Sequence, residues 1–368
     1  MHDNKQLNLR RICRLIQAGK LIIGSSEPVS VQSMTNIATS DVDGCVKQIN
    51  ELANAGCEIV RVAVPGAKDT AALPDIIKQI NIPIVADVHF HFARALEAIE
   101  AGVNKIRLNP GNIKDRQQVK TVVDACKANQ VAIRVGVNEG SIVDLKDNGR
   151  HQHEKDMPMA QLMLDKMTDY VRIFEDNDFS NLVLSAKCHD AARTIEVNRL
   201  IAHNFDYPIH LGVTHAGTVQ TGSIRSAVAL GTLLAEGIGD TIRVSLAGDP
   251  VTEVGVAWEI LTSLKLRQQR GIELIACPTC GRTEIDLLAM VNQVSEAIKE
   301  IKYPMTVAVM GCVVNGPGEA DNADVALCGG KDKVVIYRSG KKTATIPATQ
   351  AVAALLQQIN LFIKENNG

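Results

Sequence analysis

At 368 residues the chain is long enough for two domains, or for one barrel of about 250 residues with an appendage. Thirty-nine basic against forty-one acidic residues leave a net charge of -2, and aromatic side chains make up only 3%. A global field that would recruit nucleic acid or an anionic membrane is therefore excluded, as is a base-stacking surface. The apolar and charged shares, 46% and 22%, are those of a soluble globular protein. Met1-His2-Asp3-Asn4-Lys5-Gln6 lacks an apolar secretory core and no later run would cross a bilayer, so a cytoplasmic protein is expected. Nine cysteines in a reducing compartment are then expected as free thiols. Cys13, Cys45, Cys57, Cys126 and Cys188, scattered singly, read as core filling.

From about residue 28 to 268, short β-branched runs alternate with longer amphipathic stretches. The runs predict strands at Val29 to Gln32, Ile59 to Val64, Ile84 to Asp87, Lys105 to Leu108, Ala132 to Val137, Leu182 to Ala186, Ile209 to Val213 and Thr241 to Ser245. Between them, helices are predicted at Asp43 to Ala55, Asp69 to Gln79, Arg94 to Ala101, Arg116 to Asn129, Met159 to Asn177, Ala191 to Asn204, Ile224 to Ala235 and Pro250 to Leu266. Eight strands alternating with eight helices indicate an α/β protein with a closed (β/α)8 barrel more than an open sheet, which would need a phosphate-binding glycine turn after its first strand. The polar stretch Arg267-Gln268-Gln269-Arg270-Gly271 reads as a linker, giving a barrel over 1-268 and a second domain over 269-368. That domain reads strand (Glu273 to Ala276), helix (Glu284 to Lys299), strand (Met305 to Met310), three short strands (Ala323 to Leu327, Lys333 to Tyr337, Thr343 to Ile346) and a helix from Pro347. It is a small α+β unit.

Four predicted strands carry an arginine in an apolar setting: Val60-Arg61-Val62, Ile106-Arg107-Leu108, Ile133-Arg134-Val135 and Ile242-Arg243-Val244; a fifth ends in Lys187. Any one arginine is explained as well by an outward pairing with a helix carboxylate. Several cations converging on the C-terminal mouth of a barrel would repel one another unless a polyanion met them, and guanidinium forks match phosphate oxygens. A phosphorylated substrate is the economical explanation. Asn109-Pro110-Gly111-Asn112 and Gly136-Val137-Asn138-Glu139-Gly140, after two of these strands, offer backbone amides to the same anion.

Two stretches carry the second chemistry. Cys277-Pro278-Thr279-Cys280-Gly281-Arg282 is a CxxC on a turn after an apolar strand, and Gly311-Cys312 opens a Gly-Pro-Gly turn that ends in Glu319. Three thiolates at one point suit zinc or an iron-sulfur cluster. Two residues compete as fourth ligand. Cys328 would complete an all-thiolate site, zinc or electron-transfer in kind; Glu319 would leave one iron with a displaceable oxygen ligand that a substrate can replace.

The wording of these motifs, CPTCGR and VMGCVVNGPGEA, closely resembles the C-terminal domain of the 4-hydroxy-3-methylbut-2-en-1-yl diphosphate synthase family, iron-sulfur enzymes of non-mevalonate isoprenoid synthesis. QSMTN, VADVHF, KIRLNPGNI, IRVGVNEGS and GIGDTIRVSLAGDP look like the barrel of the same family, so the resemblance covers nearly the whole chain. It implies a [4Fe-4S] cluster on Cys277, Cys280, Cys312 and Glu319, with Cys328 a bystander. It also implies diphosphate binding by Arg61, Arg107, Arg134, Asn138, Lys187, Arg243 and Ser245, with Asp87 and His89 at the pocket floor and Asn315 near the iron. The implied reaction is reductive ring opening of 2-C-methyl-D-erythritol 2,4-cyclodiphosphate, fed by a flavodoxin or ferredoxin, in a head-to-tail homodimer.

The chain departs from the family at two places. His215, in Leu211-Gly212-Val213-Thr214-His215-Ala216-Gly217, stands where the family has a glutamate thought to transfer a proton; a histidine, with an ordinary pKa of about 6.5, can deliver one too. Cys188-His189 replaces Ala-Ser after the lysine and reads as space filling. The rivals to this reading are a phosphate-binding or redox-sensing relative without turnover and a zinc-stabilised barrel.

Overall fold

The computed structural model describes residues 10-88, 92-108, 115-142, 157-312, 318 and 321-366. The chain divides into two compact units, Met1–Arg267 and Gln268–Gly368. The first opens with an antiparallel hairpin, β1 (Ile16–Ala18) and β2 (Leu21–Ile23). Strands and helices then alternate: β3 (Ser30–Met34), α1 (Val42–Ala55), β4 (Ile59–Ala63), α2 (Ala67–Ile77), β5 (Ile84–Asp87), α3 (Phe92–Glu100), β6 (Lys105–Leu108) and α4 (Arg116–Ala128). They continue through β7 (Ala132–Asn138), α5 (Met159–Glu175), β8 (Leu182–Lys187), α6 (Ala191–Asn204), β9 (His210–Leu211), α7 (Val219–Ala235), β10 (Thr241–Ile242) and α8 (Pro250–Ser263). Asp41, Asp115, Asp190 and Asp249 each accept a first-turn amide at the head of a helix, which fixes where the loops at the strand ends stop.

The eight strands β3 to β10 lie parallel in the order β8-β7-β6-β5-β4-β3-β10-β9. A parallel bridge from Leu184 to Ile209, with the Leu184 amide donating to the Pro208 carbonyl at 2.8 Å, joins the two edges and closes the ring. The fold is a (β/α)8 barrel. Alternate residues such as Val60, Val62, Ile106, Leu108, Ile133, Val135 and Leu184 face outward into one core with the helices. Inward residues at the strand starts form two small apolar clusters, Ile59 and Val85 with Ala18 and Ile23, and Ala132 and Val183 with Ile16. The β1-β2 hairpin thereby plugs the N-terminal end of the barrel, and the polar inward positions are left above it.

Several elements differ in extent from the sequence reading, strand β9 among them, which is His210–Leu211 against the expected Ile209 to Val213. The hairpin was not expected, because three-residue strands carry no readable period. Helix α7 begins at Val219 instead of Ile224, since the Thr218 hydroxyl caps it. Strand β10 stops at Ile242 instead of Ser245, because the Leu246 amide turns to Glu253 Oε1 at 2.9 Å.

The second unit is a sheet of β11 (Ile272–Ala276), β12 (Met305–Met310), β13 (Val325–Gly329), β14 (Lys333–Arg338) and β15 (Lys341–Pro347), in that spatial order. The first three strands are parallel and the last two antiparallel. Helices α9 (Leu287–Ile298) and α10 (Ala351–Asn366) cover one face, with Val294, Ile298, Leu355 and Ile359 packing on Val307, Val309, Val325 and Ile336. On the opposite parity Ala308, Met310, Ala326 and Cys328 form a separate patch that Cys277 joins. Among the described residues no helix is long and apolar enough to cross a membrane.

Candidate active site

The barrel brings five of the expected cations to its interior. Arg61 ends within 2.5 Å of Asp87 Oδ2, and Arg107 within 3.7 Å of Asp87 Oδ1, so one carboxylate on β5 orients a guanidinium from each neighbouring strand. Arg134, on β7, is 3% exposed and donates to Ser185 Oγ at 3.3 Å. Arg243, just past β10, lies 3.5 Å from Glu253 Oε2, the carboxylate that also holds the Leu246 amide. Lys187 ends β8 with its amine 3.2 Å from His210 Nε2. Desolvation lowers the pKa of Arg107, Arg134 and Arg243, and that of Lys187 well below its ordinary value, with neighbouring cations adding to the effect in each. Burial likewise drives His210 down, which favours a neutral ring paired with the Lys187 amine. Cations crowded in this way favour an anion among them. The site is tightly fitted: a Cβ on Gly212 would come within 2.7 Å of the Lys187 amine and 2.8 Å of the Arg243 carbonyl.

Asp87 thus belongs to this constellation as an orienter of arginines. Asn138 and Ser245 are half-buried at the same strand ends. His89 lies outside the described residues. His215 is exposed on the loop after β9 with a left-handed backbone, φ 54°, between Thr214, whose amide donates to the Cys188 carbonyl at 3.0 Å, and Ala216, whose carbonyl accepts from Arg225 at 2.9 Å. Cys188 is buried against Met163, as space filling requires, whereas His189 is exposed and its Nδ1 sits 2.9 Å from Glu139 Oε2. The sequence reading missed Lys105, His210 and Glu253. Inward parity was the available signal for Lys105, which stands two residues before Arg107.

The cysteines of the second unit occupy one end of its sheet. Cys277 follows β11 and its amide donates to the Val309 carbonyl at 3.2 Å; Cys312 follows the adjacent parallel strand β12. The intervening loop folds back through the Glu284 amide, which donates to the Gly311 carbonyl at 3.0 Å. A Cβ on Gly311 would press on Thr283 Cγ2 at 3.0 Å and Leu287 Cδ2 at 3.2 Å. Cys277 and Cys312 are half-buried and Cys280 exposed, while the other six thiols are buried. The Gly311 amide donates to Cys277 Sγ at 3.1 Å, and hydrogen bonds from the Arg282 backbone and side chain lower the Cys280 pKa. Burial instead pushes Cys328 up to about 11. Accessible, amide-supported thiols fit soft-metal ligation and the buried Cys328 thiol fits it poorly. Among the described residues no three His, Cys, Asp or Glu side chains close on one ion position, so the expected meeting of three sulfurs at a single point is not seen. Glu319 and Asn315 lie outside the described residues.

Comparison with known proteins bears on both units. The GcpE TIM-barrel domain model matches residues 13-258, and the GcpE protein C-terminal domain model residues 273-361. The chain belongs to the GcpE family. This GcpE chain is 45% identical to the 4-hydroxy-3-methylbut-2-en-1-yl diphosphate synthase (flavodoxin) of Lawsonia intracellularis, over 98% of its own length and 99% of the relative's. Proteins of the same name from Nitratidesulfovibrio vulgaris and Clostridium perfringens are each 47% identical, over 96% and 95% of the GcpE chain and 90% and 99% of the relatives.

Proposed function

We propose that this GcpE chain is a cytoplasmic oxidoreductase that opens and dehydroxylates 2-C-methyl-D-erythritol 2,4-cyclodiphosphate, giving 4-hydroxy-3-methylbut-2-enyl diphosphate. The observation that carries the reading is the inward set Arg61, Arg107, Arg134, Lys187 and Arg243, with more positive charge than Asp87 and Glu253 balance. Two electrons and protons enter and the lost hydroxyl leaves as water. A flavodoxin is the proposed donor, as the relatives' name supports, with a ferredoxin as the alternative. Bound on Cys277, Cys280, Cys312 and Glu319, a [4Fe-4S] cluster would supply single electrons and a Lewis-acidic iron. The protein's own groups do the rest. Arg107, Arg134 and Arg243 grip the diphosphate, with Lys187, Asn138 and Ser245 completing its hydrogen bonds. Asp87 holds Arg61 and Arg107 in place, and His215 delivers a proton; the family resemblance assigns His89 to the pocket floor and Asn315 to the neighbourhood of the iron.

The test is anaerobic purification with iron and sulfide analysis, followed by turnover of the cyclic diphosphate with reduced flavodoxin. Brown, iron-loaded protein that makes the linear diphosphate is expected, and Arg134→Ala is expected to lose about 100-fold or more in kcat/KM through loss of a buried charged hydrogen-bond donor. Colourless iron-free protein, or tight binding without turnover, overturns the reading. We also propose a homodimer in which two chains complete each other's chemistry. Mixing inactive Arg134→Ala chains with inactive Cys312→Ala chains then restores activity, and no recovery counts against it.

A further inference from the structure

Lys105 precedes Arg107 by two residues on β6 and so shares its inward face. The side chain has no exposed surface, and its amine has no hydrogen-bond partner. Its strand neighbours in register are Val85 and Ala132, both in the apolar layer over the hairpin plug, so no carboxylate adjoins it there. Other fully buried atoms without partners belong to the same inward set: both amide atoms of Gln32, Nδ1 of His210 and Oγ1 of Thr241. A buried ammonium in such a place is costly unless a counter-charge arrives.

The charged groups around it come from every wall of the barrel: Arg61 on β4, Asp87 on β5, Arg107 on its own strand, Arg134 on β7, Lys187 on β8, His210 on β9, Arg243 past β10, and Glu253 from α8. The hairpin below contributes only apolar Ile16, Ala18 and Ile23. Asp87 is engaged by Arg61 and Arg107, and Glu253 by Arg243. With His210 neutral and the rest ionised, six cations would face two carboxylates. A cyclic diphosphate brings two negative charges, one strongly acidic oxygen on each phosphorus, and has no ionisation of its own near neutrality.

We propose that Lys105 adjusts the charge of the diphosphate site, standing as a neutral amine in the free barrel above neutral pH and taking up a proton when the cyclic diphosphate enters. This rests on the reading of the barrel interior as the diphosphate site. Burial first, then Arg134 and Arg61, push the amine down to about 7 in the free protein. An anion beside those arginines cancels the repulsion and raises it again. Lys187 is also depressed, but its amine already has a hydrogen-bond partner in His210. Lys105 is therefore a positioning residue for charge: above its free pKa, each diphosphate that binds brings a proton with it.

The test is titration calorimetry of anaerobic, unreduced holoprotein with 2-C-methyl-D-erythritol 2,4-cyclodiphosphate, repeated in buffers of different ionisation enthalpy. Without reductant there is no turnover to confuse the heats. At about pH 8 the wild type should take up close to one proton, and its affinity should fall by up to about tenfold per pH unit above the free pKa. Lys105→Met, an apolar chain of similar length, should bind with no uptake and a flat affinity over that range. Lys105→Arg, permanently charged, should likewise bind without uptake, and it decides between the outcomes if the methionine variant does not fold. Wild-type binding without uptake, or undiminished uptake in both variants, overturns the role of Lys105 alone. Absence of any binding by the wild type overturns the diphosphate site itself, and the proposal with it.

Discussion

His215 is held in a left-handed backbone by its neighbours: the Thr214 amide is tied to the Cys188 carbonyl and the Ala216 carbonyl to Arg225. A residue with a Cβ occupies that region at a cost of about 1 kcal/mol or more, and it stays there only where the surroundings require it. A loop fixed on both sides of an exposed imidazole suits a proton donor aimed at a bound substrate. His215→Ala is expected to lower turnover by about 100-fold or more while leaving affinity for the cyclic diphosphate unchanged, and His215→Glu to keep most of the activity. Equal turnover of the alanine variant and the parent would assign the proton elsewhere. At this scale the arginines were legible in the sequence because a charged residue inside a β-branched run is conspicuous. Lys105 was not, since it opens its strand and looks like the polar end of a loop. His210 and Glu253 gain their meaning only from Lys187 and Arg243, which are remote from them in the chain or across a turn. The roles expected of His89, Asn315 and Glu319 fall on residues outside those the structure describes.

Arg267 closes the barrel unit as an anchored element more than as the start of a loose linker. Its guanidinium lies 4.4 Å from the centre of the Trp258 ring, reaches both oxygens of Glu58 at 2.8 and 2.9 Å, and donates to the Val29 carbonyl at 2.8 Å. Glu58 in turn accepts the Val31 amide at 2.9 Å, so this one fork ties the end of the unit to the start of β3. Arg267→Ala should destabilise the barrel by about 1-3 kcal/mol, read from the urea midpoint of its transition, through loss of stacking and of a bidentate pair. Arg267→Lys should recover little, because an ammonium cannot span both oxygens. An unchanged midpoint for the alanine variant would make the clasp incidental. The sequence showed only a polar run at this point. Glu58 and Val29 lie more than two hundred positions away, and no local pattern announces such a partner.

Across the whole molecule the two units have separate apolar cores, one between barrel and helices and one between the second sheet and its two helices. Each can therefore unfold on its own terms. A ligand that binds only the native form of one unit stabilises that unit. Removing the proposed cluster's iron anaerobically with a chelator should lower the calorimetric transition of the C-terminal unit and leave that of the barrel in place. A barrel transition that moves by the same amount would show that the two melt as one. The alternation of strands and helices was readable because each outward strand face must bury Val, Ile or Leu under a helix, whatever the inward face carries. The inward face was harder to read, since its polar residues obey the site and not the core.

The hairpin sits at the foot of the barrel, beneath the inward cations. Ile16, Ala18 and Ile23 stopper the lower end, so a ligand held among the inward cations would enter and leave by the strand-end rim alone. On the proposed reading a product must clear that rim before the next cyclic diphosphate enters, so the pace of its departure would bear on how soon the next cycle begins.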